Sequence, residues 1–288
     1  ASVWVPVVHT AAELASGLSI SLSRLRWLTF HRRAAALVHY HRFGIPKKAG
    51  GIRSISAPKR DLARAQRWVL EQILSKLTTE EQAHGFVPGR SVVSNARPHV
   101  GRAVVVNLDL KDFFPSIPFR RVRGLFQKLG YNSHVATLLA LLCTETPRAA
   151  AEVDGKVFHV ALTARRLPQG ACTSPAITNA ICRKLDLRLA GLARRHGAAF
   201  TRYADDLTFS VNDPAKIGPL LKSTRSIVKA EGFDEHPAKT RVMRQGRRQE
   251  VTGVAVNQKL SVPRDEWRQL RAILHNAKRH GLQSQNRQ

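Results

Sequence analysis

Tyr203-Ala204-Asp205-Asp206, set between Ala198-Ala199-Phe200 and Leu207-Thr208-Phe209, is the stretch that decides the fold. Two short apolar runs bracket two adjacent carboxylates, which reads as strand, tight turn, strand with the acids at the turn. Successive strand residues point to opposite faces, so neighbouring acids share one site only where a turn bends the chain. Like charges that close repel unless a cation lies between them. Mg²⁺ suits the place, because it is a hard ion that takes carboxylate and phosphate oxygens and keeps part of its water. The pattern therefore asks for a third carboxylate elsewhere.

Asp109 supplies it. Ala103-Val104-Val105-Val106-Asn107-Leu108 is a buried-strand run with Asp109 at its end, and Pro115 stops the extended segment that follows. An isolated Asp at a strand end more often caps a turn or helix, and an isolated Asp-Asp pair more often lies on a solvated turn. Together the three acids fit two-metal phosphoryl transfer. One ion activates a 3′-hydroxyl, and the other steadies the triphosphate and the departing pyrophosphate.

Charge narrows the class further. The 288 residues, 43% of them hydrophobic, suffice for one large or two modest domains and exclude a disordered chain. No apolar run reaches the ~18 residues of a membrane span, so no membrane partner is expected. The first residues lack the basic and then apolar pattern of a secretory leader. Lys and Arg total 47 against 20 acids, a net charge of +27. An enzyme of small metabolites needs no such excess, whereas a polyanionic partner accounts for it. The basic residues run from Arg24 to Arg279 rather than gathering in one tail, which implies a long groove. Cys143, Cys172 and Cys182 are odd in number and form no CxxC pair. That argues against zinc and a disulfide framework and points to a reducing cytoplasm.

Along the chain, residues 1–40 read as helical, with Leu22, Leu25 and Leu28 at helical spacing and the pattern running to Leu37. Residues 43–55 read as a hairpin whose turn holds Lys47, Lys48 and Gly50-Gly51, basic groups able to close over a triphosphate. Helices are expected at 61–77, 119–129 and 134–142, and a hairpin at 149–166 around Asp154-Gly155. The loop Leu167-Pro168-Gln169-Gly170-Ala171-Cys172-Thr173-Ser174-Pro175 leads into a helix at 176–189 with Thr173 or Ser174 as its cap. Its amide side chain and backbone N–H groups suit the sugar and base of a nucleotide. Beyond the acidic hairpin, a helix is expected at 219–230, a strand at 233–242 carrying Lys239, and a strand at 251–256. A basic helix at 263–280 should end at Gly281.

The order of these parts resembles a reverse transcriptase over residues 43–275. Asp109 with Phe114 five residues on, then Leu167-Pro168-Gln169-Gly170, then Tyr203-Ala204-Asp205-Asp206 and a downstream Lys239 are similar to that family's palm motifs. Asn95-Ala96-Arg97-Pro98-His99, Val251-Thr252-Gly253 and the run 201–209 resemble bacterial retron reverse transcriptases in particular. Cys172 stands where many relatives have Pro, which leaves the start of the helix intact.

The resemblance implies an α+β right-hand polymerase. It would have an N-terminal helical extension at 1–40, fingers at 41–103 and a palm at 104–250. The palm would be an antiparallel sheet backed by helices, with a finger insertion around 149–168, and a short helical thumb would follow at 251–288. By the same resemblance Asp109, Asp205 and Asp206 hold two Mg²⁺ ions with help from the Leu110 carbonyl. Phe114 would exclude a ribonucleotide's 2′-hydroxyl, Phe113 would shape the adjoining sugar pocket and Gln169 would touch the sugar. Lys48 and Arg53 would contact the triphosphate, and Lys239 would protonate the leaving pyrophosphate. Asn95, His99, Val251, Thr252 and Gly253 would contact a cognate RNA, and Arg264, Arg268 and Arg271 would track its stem.

The implied function is to copy part of a structured noncoding RNA, using dNTPs, into single-stranded DNA joined to that RNA. Priming would come from an internal 2′-hydroxyl, and an effector protein and a role in antiphage defence accompany it. RNA removal would fall to another protein. Two alternatives are a group II intron-like or abortive-infection reverse transcriptase, and a non-catalytic RNA-binding protein on a polymerase fold. The presence of all three acids argues against the last.

Overall fold

Val104, Val105 and Val106 form a strand because β-branched side chains suit a pleated sheet, and all three are buried. Burial of consecutive residues means that both faces of the sheet are covered. This strand, Val104–Asp109, is an interior member of a four-stranded antiparallel sheet. The order is Ala199–Tyr203, Asp206–Val211, Val104–Asp109, Arg241–Arg244. The computed structural model describes residues 5–46, 50–262 and 264–286, and of Arg264 and Asp265 the backbone alone.

By internal contacts the chain divides into two units, Ala1–Glu80 with Lys111–Lys184, and Glu81–Leu110 with Leu185–Gln288. The four-stranded sheet belongs to the second. Its register places Val106 opposite Phe209 on one side and Val242 on the other. Phe200 and Phe209 are cross-strand partners with stacked rings 4.7 Å apart. The helix Ile217–Ala230 buries Leu220, Thr224 and Val228, one stripe at four-residue spacing.

Two expected strands of this unit are corrected. Residues 233–242 do not run as one strand. Pro237–Lys239 is a single 3₁₀ turn and the strand begins only at Arg241, since Pro237 has no N–H for a ladder. Residues 251–256 are a short hairpin of Glu250–Val251 and Val254–Ala255 rather than one strand. Thr252 and Gly253, with φ of 47° and 84°, make its two-residue turn. Val251 and Val256 bury against Ala96 and Val105, which fastens the hairpin to the helix Val92–Ala96 and to the interior strand. The helix Arg264–His280 stops at Gly281, whose φ of 81° is left-handed; Pro263, expected to start it, lies outside the described residues.

The first unit carries the helices Ala11–Gly17 and Leu22–Thr29, whose N-termini are capped by the hydroxyls of Thr10 and Ser21. The second of these ends eight residues before Leu37. Phe30 turns to extended backbone, and Ala34–Ala35 pairs as an edge strand with Lys156–Ala161, which also pairs with Arg148–Val153. The hairpin of Tyr40–Pro46 and Ile52–Pro58 is present, while its tip at 47–49 lies outside the described residues. The helix Arg60–Gln72 is shorter than expected and passes into a 3₁₀ turn, Leu74–Lys76. Phe119–Lys128, Ser133–Cys143 and the hairpin turn at Asp154-Gly155 form where the pattern placed them. The helix Ser174–His196 runs longer than 176–189, because buried Ala190, Leu192 and Ala193 continue its apolar face. The Ser174 hydroxyl donates to the Pro168 carbonyl at 2.7 Å and so braces the preceding loop instead of capping the helix. Among the described residues no helix is long and apolar enough to cross a membrane.

Phe209→Ala should destabilise the second unit by about 3–5 kcal/mol, the usual effect of emptying an aromatic core position. Urea unfolding checks this, with Phe43→Ala, whose ring is 50% exposed, as the near-neutral control.

Candidate active site

The antiparallel register sets Asp109 directly opposite Asp206. Direct cross-strand partners hold their Cβ atoms roughly 4.5–5.5 Å apart on one face. Asp205 follows Ala204 in the two-residue loop between the hairpin strands, and its carbonyl accepts the Leu110 N–H at 3.0 Å. The Asp109 carbonyl accepts the His236 N–H at 2.7 Å. These two bonds tie the end of the interior strand to the acidic turn on one side and to the Lys239 turn on the other. Lys239 Nζ donates to Asp109 Oδ1 at 2.8 Å.

All three carboxylates are half-buried. Asp206 is pushed up to about 7, first by burial and then by the Asp205 and Asp109 charges, with Lys239 pulling the other way. Asp109 and Asp206 line a cavity of about 250 Å³ together with Lys239, Arg241, Glu250 and Thr252.

This donor set fits a hard divalent cation in its chemistry, since the charge that lifts Asp206 is the charge a cation would relieve. The acids do not form a ready-made cage. Among the described residues no three carboxylate, imidazole or thiolate groups are gathered closely enough to hold one ion. Like charges at contact repel, and Asp109 pairs with Lys239.

The acidic turn is held from behind. Ala204 has φ of 56°, a left-handed conformation that a side chain disfavours. Arg202, the residue before Tyr203, is wholly buried and makes a two-pronged ion pair with buried Asp186 at 2.6 and 2.7 Å. Its Nη1 also donates to the Ala204 carbonyl at 3.1 Å. Gly85 lies against the same turn, where an added Cβ would stand 2.4 Å from the Ala204 nitrogen. Sequence reasoning missed all three residues. The available signal was Arg202 itself, a charge inside the otherwise uncharged strand Ala199–Tyr203.

The two motifs beside the sheet meet each other. Asn95 Nδ2 donates to Thr252 Oγ1 at 3.3 Å, and Ala96 packs with Val251. Asn95, His99 and Val251 are fully buried, which corrects the expectation that their side chains touch RNA. His99 bridges the Ser210 and Thr201 hydroxyls at 2.7 and 2.9 Å. Burial pushes it down to about 3, so it stays neutral and serves the fold. Thr252 and Gly253 remain at the surface of the cavity.

The residues expected to bind nucleotide lie in the first unit. Phe113 is buried and Phe114 half-buried, their ring centroids 5.6 Å apart. Arg53 is exposed on its hairpin strand. The Gln169 carbonyl accepts the Ser56 N–H at 2.7 Å, which fastens the Gln169 loop to the hairpin. Gly170, at φ of 121°, lets that contact close, since an added Cβ would stand 2.9 Å from the Ser56 carbonyl oxygen. Lys48 and the side chain of Arg264 lie outside the described residues, while Arg268 and Arg271 are exposed on the last helix.

Residues 45–262 match the family described as reverse transcriptase (RNA-dependent DNA polymerase). The chain is 50% identical over 288 residues to the Retron Mx162 reverse transcriptase of Myxococcus xanthus, covering 94% of this chain and 59% of that protein. It is 50% identical over 275 residues to the Retron Mx65 reverse transcriptase of the same organism, covering 96% of this chain and 64% of that protein. The chain thus spans about three-fifths of the length of these relatives. It is 33% identical to the Retron Ec86 reverse transcriptase of Escherichia coli, covering 94% of this chain and 79% of that protein. A solved telomerase from Candida albicans, in complex with a TWJ fragment of telomeric RNA, superposes with a TM-score of 0.55 at 13% identity. That likeness covers 77% of this chain and 46% of the telomerase chain and is one of fold.

Arg202→Met should cost about 3–5 kcal/mol by leaving Asp186 buried and unpaired, and Arg202→Met with Asp186→Leu should recover most of it. Thermal unfolding of the single and double variants checks this. A carboxyl with a raised native pKa destabilises the fold only once ionised, so the penalty from Asp206 grows as pH rises from about 4 through 7. In EDTA, Asp206→Asn should therefore stabilise the protein at pH 8 by a few kcal/mol and lose that advantage near pH 4, read from melting temperatures across pH.

Proposed function

The chain belongs to the reverse transcriptase family, among the retron reverse transcriptases, and from that premise we propose that it is an RNA-directed DNA polymerase. The observation that carries the reading is the register that opposes Asp109 and Asp206 beside the pinned Asp205 turn. Asp109, Asp205 and Asp206 would hold two Mg²⁺ ions. When bound, these would lower the pKa of the attacking hydroxyl and neutralise charge on the triphosphate.

The chain's own residues do the rest. The opposed strands fix two carboxylates on one face, and the buried Arg202–Asp186 pair fixes the third by its backbone. The Lys239 ammonium, paired with Asp109 and 54% exposed, can swing to a departing pyrophosphate and give it a proton. Phe114 would clash with a ribose 2′-hydroxyl and so select deoxynucleotides, with Phe113 backing it. Gln169 would meet the sugar, and Lys48 and Arg53 the triphosphate. Thr252 and Gly253, on the cavity shared with Asp109 and Asp206, would contact the RNA, as would Arg264, Arg268 and Arg271.

The template and primer would be a cognate structured RNA, primed from an internal 2′-hydroxyl to give RNA-linked single-stranded DNA. An effector protein and antiphage defence complete the proposal. Support for this finer reading comes from the retron relatives and from the contact between the two motif segments at Asn95 and Thr252.

Primer extension with Mg²⁺ and dNTPs tests the reading. Wild-type protein should make labelled DNA, and Asp205→Ala should be slower by at least about 10³-fold, ~4 kcal/mol of barrier. Sequencing of copurified nucleic acid should return one structured RNA covalently joined to DNA. Random cellular RNA, or extension undiminished in Asp205→Ala, would overturn it.

A further inference from the structure

The first unit holds a second cavity, of about 370 Å³, in which none of the candidate active-site residues takes part. That volume lies within the range of small-ligand sites, about 300–1,000 Å³. Its rim is aromatic. Trp27 is 37% exposed and Phe30 58%. The Arg32 guanidinium sits over the Phe30 ring at 4.9 Å.

Its wall is cationic. Arg148 and Arg165 are anchored by main-chain carbonyls, Arg148 Nη1 donating to His159 at 2.7 Å and Arg165 Nη2 to Leu141 at 2.8 Å. The acid of the lining, Glu145, is engaged by Arg42 Nε at 2.8 Å and offsets Arg148 and Arg165 only in part. Two neighbouring imidazoles feel the same field. His31 and His39 are both pushed down, by burial first and then with Arg165 contributing. Behind the rim the Thr146 side chain is 3% exposed and its hydroxyl has no hydrogen-bond partner. A buried polar group left unpaired is uncommon in a native fold and points to something that supplies the bond.

A flat ring, an anion and a polar edge are needed together to use all of these features. A fatty chain would leave Arg32 and Thr146 idle, and a bare phosphate would leave Trp27 and Phe30 idle. We propose that this cavity binds one nucleotide unit, its base against Phe30 and Trp27, its phosphate at Arg32 and its base edge at the Thr146 hydroxyl. Stacking plus fixed positive charge is how proteins hold unpaired strands. The unit arrives either as a free mononucleotide or as a residue of a single strand. The site is independent of the acids, so its test does not read polymerisation.

Full-length protein freed of nucleic acid is photocrosslinked to a hexanucleotide bearing 4-thiouridine, with and without AMP as competitor, and crosslinks are mapped by mass spectrometry. The crosslink should fall on Trp27 or Phe30. Arg32→Glu, an exposed change that leaves the core intact, should reduce it about tenfold. Thr146→Val should raise the melting temperature, because an unpaired buried hydroxyl is gone, and should weaken the crosslink about fivefold. Competition by AMP assigns the site to a free nucleotide, and its failure beside a strong crosslink assigns it to a strand. No crosslink at these residues, or yields unchanged in both variants, overturns the proposal.

Discussion

The pairing of Val104–Asp109 with Asp206–Val211 is the constraint on which the site depends. Side chains alternate along a strand, so a slip of one residue would send Asp109 and Asp206 to opposite faces. The register resists that slip because Val106 opposite Phe209 and Leu108 opposite Leu207 are buried core partners. The apolar pattern of the sheet and the location of the acids are therefore one fact. What stabilises the fold also aims the chemistry.

Charge is managed at the same place by neighbours of opposite kind. Asp206 is lifted by burial and by two like charges, a destabilising arrangement left standing where chemistry needs it. Lys239 offsets part of it through Asp109. Beneath the turn, the Arg202–Asp186 pair holds Ala204 in a backbone conformation that would otherwise relax. A buried ion pair of this kind is weak evidence for stability and better understood as fixing one geometry. Gly85 completes the clamp, since any larger residue would displace the turn.

Much of this was legible in the sequence, and the losses have physical causes. The valine run, the strand–turn–strand around Asp205 and the hairpin at Asp154-Gly155 depend on local chemistry, and they form as read. The stop at Thr29 was not legible, because no Gly or Pro marks it and a distant strand captures Ala34–Ala35. Thr252-Gly253 hid a hairpin inside an apolar run, because threonine seldom takes a left-handed turn position. Asn95 and His99 looked like surface recognition groups. Both imidazole nitrogens of His99 and the amide N–H of Asn95 bond internally to hydroxyls more than a hundred residues away, a pairing that no local pattern encodes.

Mn²⁺ binding followed by electron paramagnetic resonance, on protein carrying its template, primer and a non-hydrolysable dNTP, tests the central claim most directly. Saturable binding that weakens about tenfold or more in Asp109→Asn and in Asp206→Asn is the predicted result. Equal binding in wild type and both variants would show that the opposed carboxylates do not hold the ion, and the account would fail.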